Sequence, residues 1–120
     1  MFAFVIQIHS GFGPTHYDLM LQHGRALATW QLPASPEGLR VGQSLAARRL
    51  PDHRLEYLAY RGPVSRGRGE VQPLDQGALN YLVSEKDRLE VELNGRIFIG
   101  RYELRRRTDA SEAWELTRLA

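Results

Sequence analysis

Residues 9–21 read HSGFGPTHYDLML and bring two imidazoles, His9 and His16, and one carboxylate, Asp18, to either side of a Gly11-Phe12-Gly13-Pro14 turn. In an extended chain, side chains two apart share a face. His16 and Asp18 therefore point one way and Tyr17, Leu19 and Leu21 the other, as in a half-buried strand with a polar inner face. Val5, Gln7 and His9 share a face of the preceding segment, and the turn can fold that segment back so that His9 approaches His16 and Asp18. Two imidazoles and one carboxylate make an open divalent-metal site, with positions left for water or substrate. The same residues fit a plainer reading, in which His9 ends a strand and Asp18 caps a loop.

A second cluster, DHRLEY at 52–57, spaces His53 and Tyr57 four residues apart, on one side of either a helix or a strand. An imidazole near neutrality and a phenol can both bind a phosphate oxygen and share protons with it; an ordinary surface turn entering a strand is the alternative. A third feature, GPVSRGRG at 62–69, carries Arg66 and Arg68 on a glycine-rich loop able to track a nucleic-acid backbone. It lacks the Lys-Ser/Thr pair and following helix of a nucleotide-phosphate loop, and such a stretch also serves as a plain flexible turn. His16-x-Asp18 with His53 could form an iron oxygenase triad, although that arrangement sits in a larger jelly roll with its last His late in the chain. His23 reads as an exposed hairpin residue, Trp30 and Trp114 as core, and Arg105, Arg106 and Arg107 as a solvated strand end.

The elements that must hold these groups are short and β-rich. Runs at 4–9, 16–22, 26–32, 56–61, 69–72, 89–94, 97–105 and 113–119 alternate or favour strand, with turn signals between them. Asn94-Gly95 predicts a type I′ hairpin turn and His23-Gly24 a second hairpin. About eight strands and no long amphipathic helix predict an all-β fold, a small antiparallel barrel. One long irregular connection spans 33–53, where Pro33, Pro36 and Pro51 interrupt any ladder, with a short helix over 43–49.

The 120 residues predict a single domain over 1–120, large enough to bury a core without a disulfide or structural metal, so any bound metal would be functional. The absence of Cys excludes disulfides, thiolate metal sites and a thiol nucleophile. The N-terminal residues lack the basic and long apolar regions of a signal peptide, and no run reaches the ~20 apolar residues of a membrane span. A soluble cytoplasmic protein without membrane contact, and a monomer, is the expectation. Charge is uneven: residues 1–68 carry 8 Arg against 4 acids, a net +4, and residues 69–120 carry 8 Arg or Lys against 10 acids, a net −2. The basic half holds all 4 His. All the cations but Lys86 are Arg, whose planar fork suits phosphate; a GC-rich genome produces the same excess.

FVIQIH (4–9), HYDLML (16–21), TWQLP (29–33), DHRLEY (52–57), GPVSRGRGEV (62–71) and LDQG (74–77), in that order, resemble the 3′-phosphoesterase domain of bacterial DNA ligase D. LNGRIFIGRYELRR and AWELTRL are similar to its closing strands, so the likeness runs over nearly the whole chain. The resemblance implies a small β-barrel enzyme that uses a divalent metal, typically manganese, with zinc or another transition metal as the alternatives. It implies trimming of ribonucleotide or phosphate groups from DNA 3′ ends, alongside separate ligase or polymerase proteins. By motif match His9, His16 and Asp18 would be the metal ligands, and His53 and Tyr57 would engage the phosphate. The family's HYDLRLE-like strand has an Arg two positions after the Asp, where this chain has Met20, and Gln22 replaces the acid. The family's basic residue after its WxxPKG-like stretch is also missing, no N-terminal arm precedes the first strand, and His9 to His16 is one residue longer than usual. Arg48, Arg49, Arg54, Arg66 and Arg68 are the candidates to replace the lost guanidinium, with Arg54, Arg66 and Arg68 expected to bind substrate. The alternative function is a non-catalytic nucleic-acid or protein binding module on the same barrel.

Overall fold

The computed structural model describes residues 2–107 and 111–120. Its strands are β1 (Phe2–Ser10), β2 (His16–His23), β3 (Ala26–Leu32), β4 (Ser44–Arg54), β5 (Gly62–Pro63), β6 (Glu70–Glu85), β7 (Arg88–Asn94), β8 (Ile99–Arg106) and β9 (Ala113–Arg118). All pair antiparallel, in the order β1-β2-β3-β4-β9-β8-β7-β6, and β1 pairs with β6 to close the ring. The result is the expected all-β architecture, an eight-stranded barrel, with the two-residue β5 added against β6. Among the described residues, closure leaves no long unpaired edge. Among the described residues no helix is long and apolar enough to cross a membrane.

Period-two alternation fills the interior. Phe4 and Ile6 of β1, Leu19 and Leu21 of β2, Trp30 and Leu32 of β3, and Leu104 and Leu116 across β8 and β9 join one buried cluster. Each such side chain contributes roughly 1.5–3 kcal/mol by leaving water. Trp30 and Trp114 meet edge to face at 5.5 Å, core residues as expected. The second hairpin forms, but His23 pairs with Ala26, so its two-residue turn is Gly24-Arg25 rather than His23-Gly24, and His23 is exposed.

Three local expectations are overturned. Residues 56–61 do not form a strand: Leu55–Leu58 is one 3₁₀ turn. Tyr57 and Leu58 both pack on Val5, Met20 and Leu27, and adjacent side chains of a strand cannot reach the same surface. Conversely, the second half of the segment predicted irregular, from Ser44 on, is β4, with no helix over 43–49. β9 pairs only with Ser44 to Arg48, and Pro51 falls at a register shift against β3, so its missing N–H interrupts no regular ladder. Finally, β6 runs 16 residues rather than four, passing Pro73 at another register shift, between Ile6 and Gln7 of β1.

The Asn94-Gly95 turn is also a different structure from the one predicted. Asn94 pairs with Ile99, so four residues, not two, connect β7 to β8. The buried Asp75 carboxylate organises them: Oδ1 accepts from the N–H of Gln76 (2.9 Å) and Arg96 (3.0 Å), Oδ2 from Ile97 (3.0 Å) and Phe98 (2.8 Å). Burial pushes the Asp75 carboxyl up, but the N–H groups of Phe98, Arg96, Ile97 and Gln76 outweigh it and hold the pKa below the ordinary 3.8. Gly95 serves this contact: a Cβ there would overlap the Asp75 carboxylate and press on the Phe4 ring.

Candidate metal centre

Across the β1–β2 hairpin His9 pairs directly with His16, and Gln7 with Asp18. Paired residues share a face, so the four side chains line one patch. Since Phe4, Ile6, Leu19 and Leu21 fill the barrel, this patch faces away from the interior. The expected polar inner face is therefore the outer wall of the barrel. Alternation separates two sets of side chains without saying which is inside; the apolar sets of eight strands claim the interior. The outward patch is roofed by the chain from Leu55 to Val64, whose Tyr57 and Leu58 pack on Val5, Met20 and Leu27.

The ligand atoms of His9, His16 and Asp18 all lie within 4.8 Å of one another. That is within a few tenths of an ångström of the separations allowed to donors sharing an ion at about 2.0–2.2 Å. The imidazole centroids are 4.6 Å apart, and His16 Nε2 stands 3.6 Å from Asp18 Oδ1, too far for a hydrogen bond. Asp18 is 4% exposed and its Oδ1 has no hydrogen-bond partner. A buried, unpartnered carboxylate oxygen beside two imidazoles is electrostatically incomplete, and a divalent cation would complete it. The residues present thus fit a metal ion. Burial pushes the Asp18 carboxyl above its ordinary 3.8, while His16, His53 and His9 pull it back.

Two backbone carbonyls decide what the neighbouring histidines offer. His9 Nε2 lies 2.6 Å from the Arg68 carbonyl oxygen. A carbonyl only accepts, so Nε2 carries the proton and Nδ1 the lone pair. The loop reaches His9 because Gly69, at φ +78, lies where a Cβ would overlap the Ser10 carbonyl. His53 Nδ1 likewise donates to the Pro51 carbonyl at 3.1 Å, leaving Nε2 as the ring nitrogen that can meet a ligand. The ring of His53 meets the Tyr57 ring edge to face at 5.6 Å.

A cavity of about 250 Å³ opens beside Asp18. His9, His53, Tyr57 and Arg68 border it, and Met20, 1% exposed, and Val71 supply an apolar surface. Arg68 is braced by its Nε on the Ser65 carbonyl (3.0 Å) and its Nη2 on Ser65 Oγ (3.2 Å). Arg54 lines instead a neighbouring groove of about 320 Å³ that shares Tyr57. Arg66 is exposed, in the left-handed region at φ +63, and lines neither space. The structure thus brings His9, His16, Asp18, His53, Tyr57 and Arg68 together, sets Arg54 next door and leaves Arg66 at the loop tip.

Gln7 is the site residue that motif reading missed. It is 1% exposed, its Nε2 donates to the carbonyls of Tyr57 (2.9 Å) and Tyr60 (3.3 Å), and its Oε1 has no partner. It ties the roof to β1. The available signal was a polar residue between Val5 and His9 on the same face of an otherwise apolar strand.

No curated protein matches the chain. The model of the DNA ligase D 3′-phosphoesterase domain matches residues 7–106, from Gln7 in β1 to the end of β8, and so takes in every residue bordering the cavity. The match covers most of the barrel as well as the cluster on its wall, and the chain belongs to the family of DNA ligase D 3′-phosphoesterase domains.

Proposed function

We propose that the protein is a metal-dependent phosphoesterase acting on nucleic-acid 3′ ends, removing a 3′-ribonucleotide or 3′-phosphate during DNA end repair. A 3′-phosphoesterase-type role in DNA repair comes with the family. The observation that carries the finer reading is the buried, unpartnered Asp18 Oδ1 beside His9 and His16, next to a cavity bordered by His53 and Tyr57.

His9 through Nδ1, His16 and Asp18 would hold the ion, with Mn²⁺ the first choice and Zn²⁺ or another transition metal compatible with the same donors. A bound ion neutralises phosphate charge and makes water a better nucleophile. His53 Nε2, oriented by the Pro51 carbonyl, exchanges a proton with a substrate oxygen, and the Tyr57 hydroxyl donates to a phosphate oxygen. Arg68, braced on Ser65, grips the phosphate, Arg54 approaches from the adjoining groove, and Arg66 meets the strand backbone outside. The setting is cytoplasmic, with the protein a monomer beside separate ligase or polymerase proteins.

The test is a DNA primer ending in one ribonucleotide or a 3′-phosphate, incubated with the protein and Mn²⁺. Shortening or dephosphorylation lost in His16→Ala supports the reading; an untouched primer at high protein, with His16→Ala no different, overturns it. Met20 favours a second reading, a non-catalytic nucleic-acid binding module, because a thioether cannot donate to phosphate where the family carries a guanidinium. On that reading primer binding weakens steeply with salt and no product forms.

A further inference from the structure

The groove beyond Tyr57 is continuous with the metal cavity, sharing Tyr57 and Val64, yet its chemistry differs. It presents two phenol rings, Tyr57 and Tyr60, whose centroids stand 5.5 Å apart at 70°. Tyr60 is 37% exposed, but its hydroxyl donates to the Pro63 carbonyl and its own carbonyl accepts from Gln7 Nε2. An exposed aromatic ring held at both ends keeps its orientation without further ordering when a ligand arrives. Glu56 is the acid on this wall and Arg54 the base. A carboxylate disfavours a second phosphate and suits hydroxyl donors. At about 320 Å³ the groove is at the small end of ligand pockets, room for one nucleoside and not for a strand.

We infer that this groove seats the nucleoside that leaves when a phosphodiester at the metal centre is cut, its base against Tyr60 and its ribose hydroxyls toward Glu56. The inference rests on the phosphoesterase reading and names its substrate. Water adds its oxygen to phosphorus, the bond from phosphorus to the nucleoside oxygen breaks, and the proton from water ends on that oxygen. Aromatic stacking supplies base affinity without choosing among bases. Glu56, accepting from the 2′-hydroxyl, favours ribose over deoxyribose.

The experiment uses three primers, ending in adenosine, in deoxyadenosine, or in a baseless ribose, each joined through a phosphodiester. Cleavage is read as kcat/KM with Mn²⁺, and binding by anisotropy in EDTA. The wild type should prefer the adenosine end to the baseless end by about ten-fold. Tyr60→Ala should bring that ratio near one, Tyr60→Phe should keep it because the ring remains, and Glu56→Gln should shrink the preference for ribose. Equal cleavage of adenosine and baseless ends by the wild type, or an unchanged ratio in Tyr60→Ala, overturns the groove assignment and leaves the phosphoesterase reading standing. If no primer is cut, tighter binding of the adenosine end that is lost in Tyr60→Ala keeps the groove and removes the phosphoesterase reading; equal binding removes both.

Discussion

Replacing Asp18 by Asn should change stability in opposite directions with and without metal. Asp18 is 4% exposed and its Oδ1 lacks a partner. Without a metal ion, the protein holds a buried carboxylate oxygen that no hydrogen-bond donor satisfies. An unsatisfied buried polar group costs about 1–3 kcal/mol, and more when charged. Asn has nearly the same volume and no charge. In EDTA, Asp18→Asn should therefore be more stable than the wild type by about 1–2 kcal/mol, which at roughly 4 °C per kcal/mol for a chain of this size is a rise of several degrees. With Mn²⁺ at a hundred times its dissociation constant, the wild type should gain about 2.7 kcal/mol while the variant gains little, so the order inverts. Thermal unfolding followed by circular dichroism, both proteins in both conditions, gives the four midpoints. A variant destabilised in EDTA, or a wild-type midpoint that no divalent ion moves, would refute the reasoning.

Asp75→Asn keeps one oxygen but turns an amide toward two backbone N–H groups, so its urea midpoint should correspond to a loss of about 3 kcal/mol. Because folding lowers the Asp75 pKa, its contribution is complete above about pH 4 and fades as pH falls through the folded value; the gap between wild type and Asp75→Asn should narrow in urea titrations carried toward acid. His53→Ala should lower kcat by roughly 10²–10⁴-fold, as loss of a proton-transfer group does, with metal affinity by calorimetry nearly unchanged. Gln7→Leu removes both bonds to the roof, and amide exchange measured by mass spectrometry should quicken over residues 55–62 while the barrel strands keep their protection. Gly95→Ala drives a Cβ into Asp75 and should lower the urea midpoint by about 1–3 kcal/mol.

What local pattern could determine, it did. Period-two runs in Phe4, Ile6, Leu19 and Leu21 marked the strands and separated their two faces, and the short turn between His9 and His16 brought those two rings opposite each other, because hairpin pairing is a local property of the chain. The all-β barrel followed from the number and spacing of such runs. Local pattern misread β4, β6 and residues 55–58, since Pro51 and Pro73 are tolerated only where a distant partner strand shifts register, and Tyr57 and Leu58 turn inward only because β1–β3 offer an apolar wall. It also misread the Asn94-Gly95 turn, whose shape is set by a carboxylate 20 residues earlier in the chain, at Asp75. The types and order of the candidate site residues were thus legible in the chain, as residues on strands and loops. That the cluster lies on the outside of the barrel, that Arg68 and Pro51 orient its histidines through their carbonyls, and that Gln7 binds the roof to β1 were decided by tertiary structure. Those contacts join segments tens of residues apart, or depend on backbone groups every residue carries, and no side-chain pattern encodes which backbone group will be left to accept.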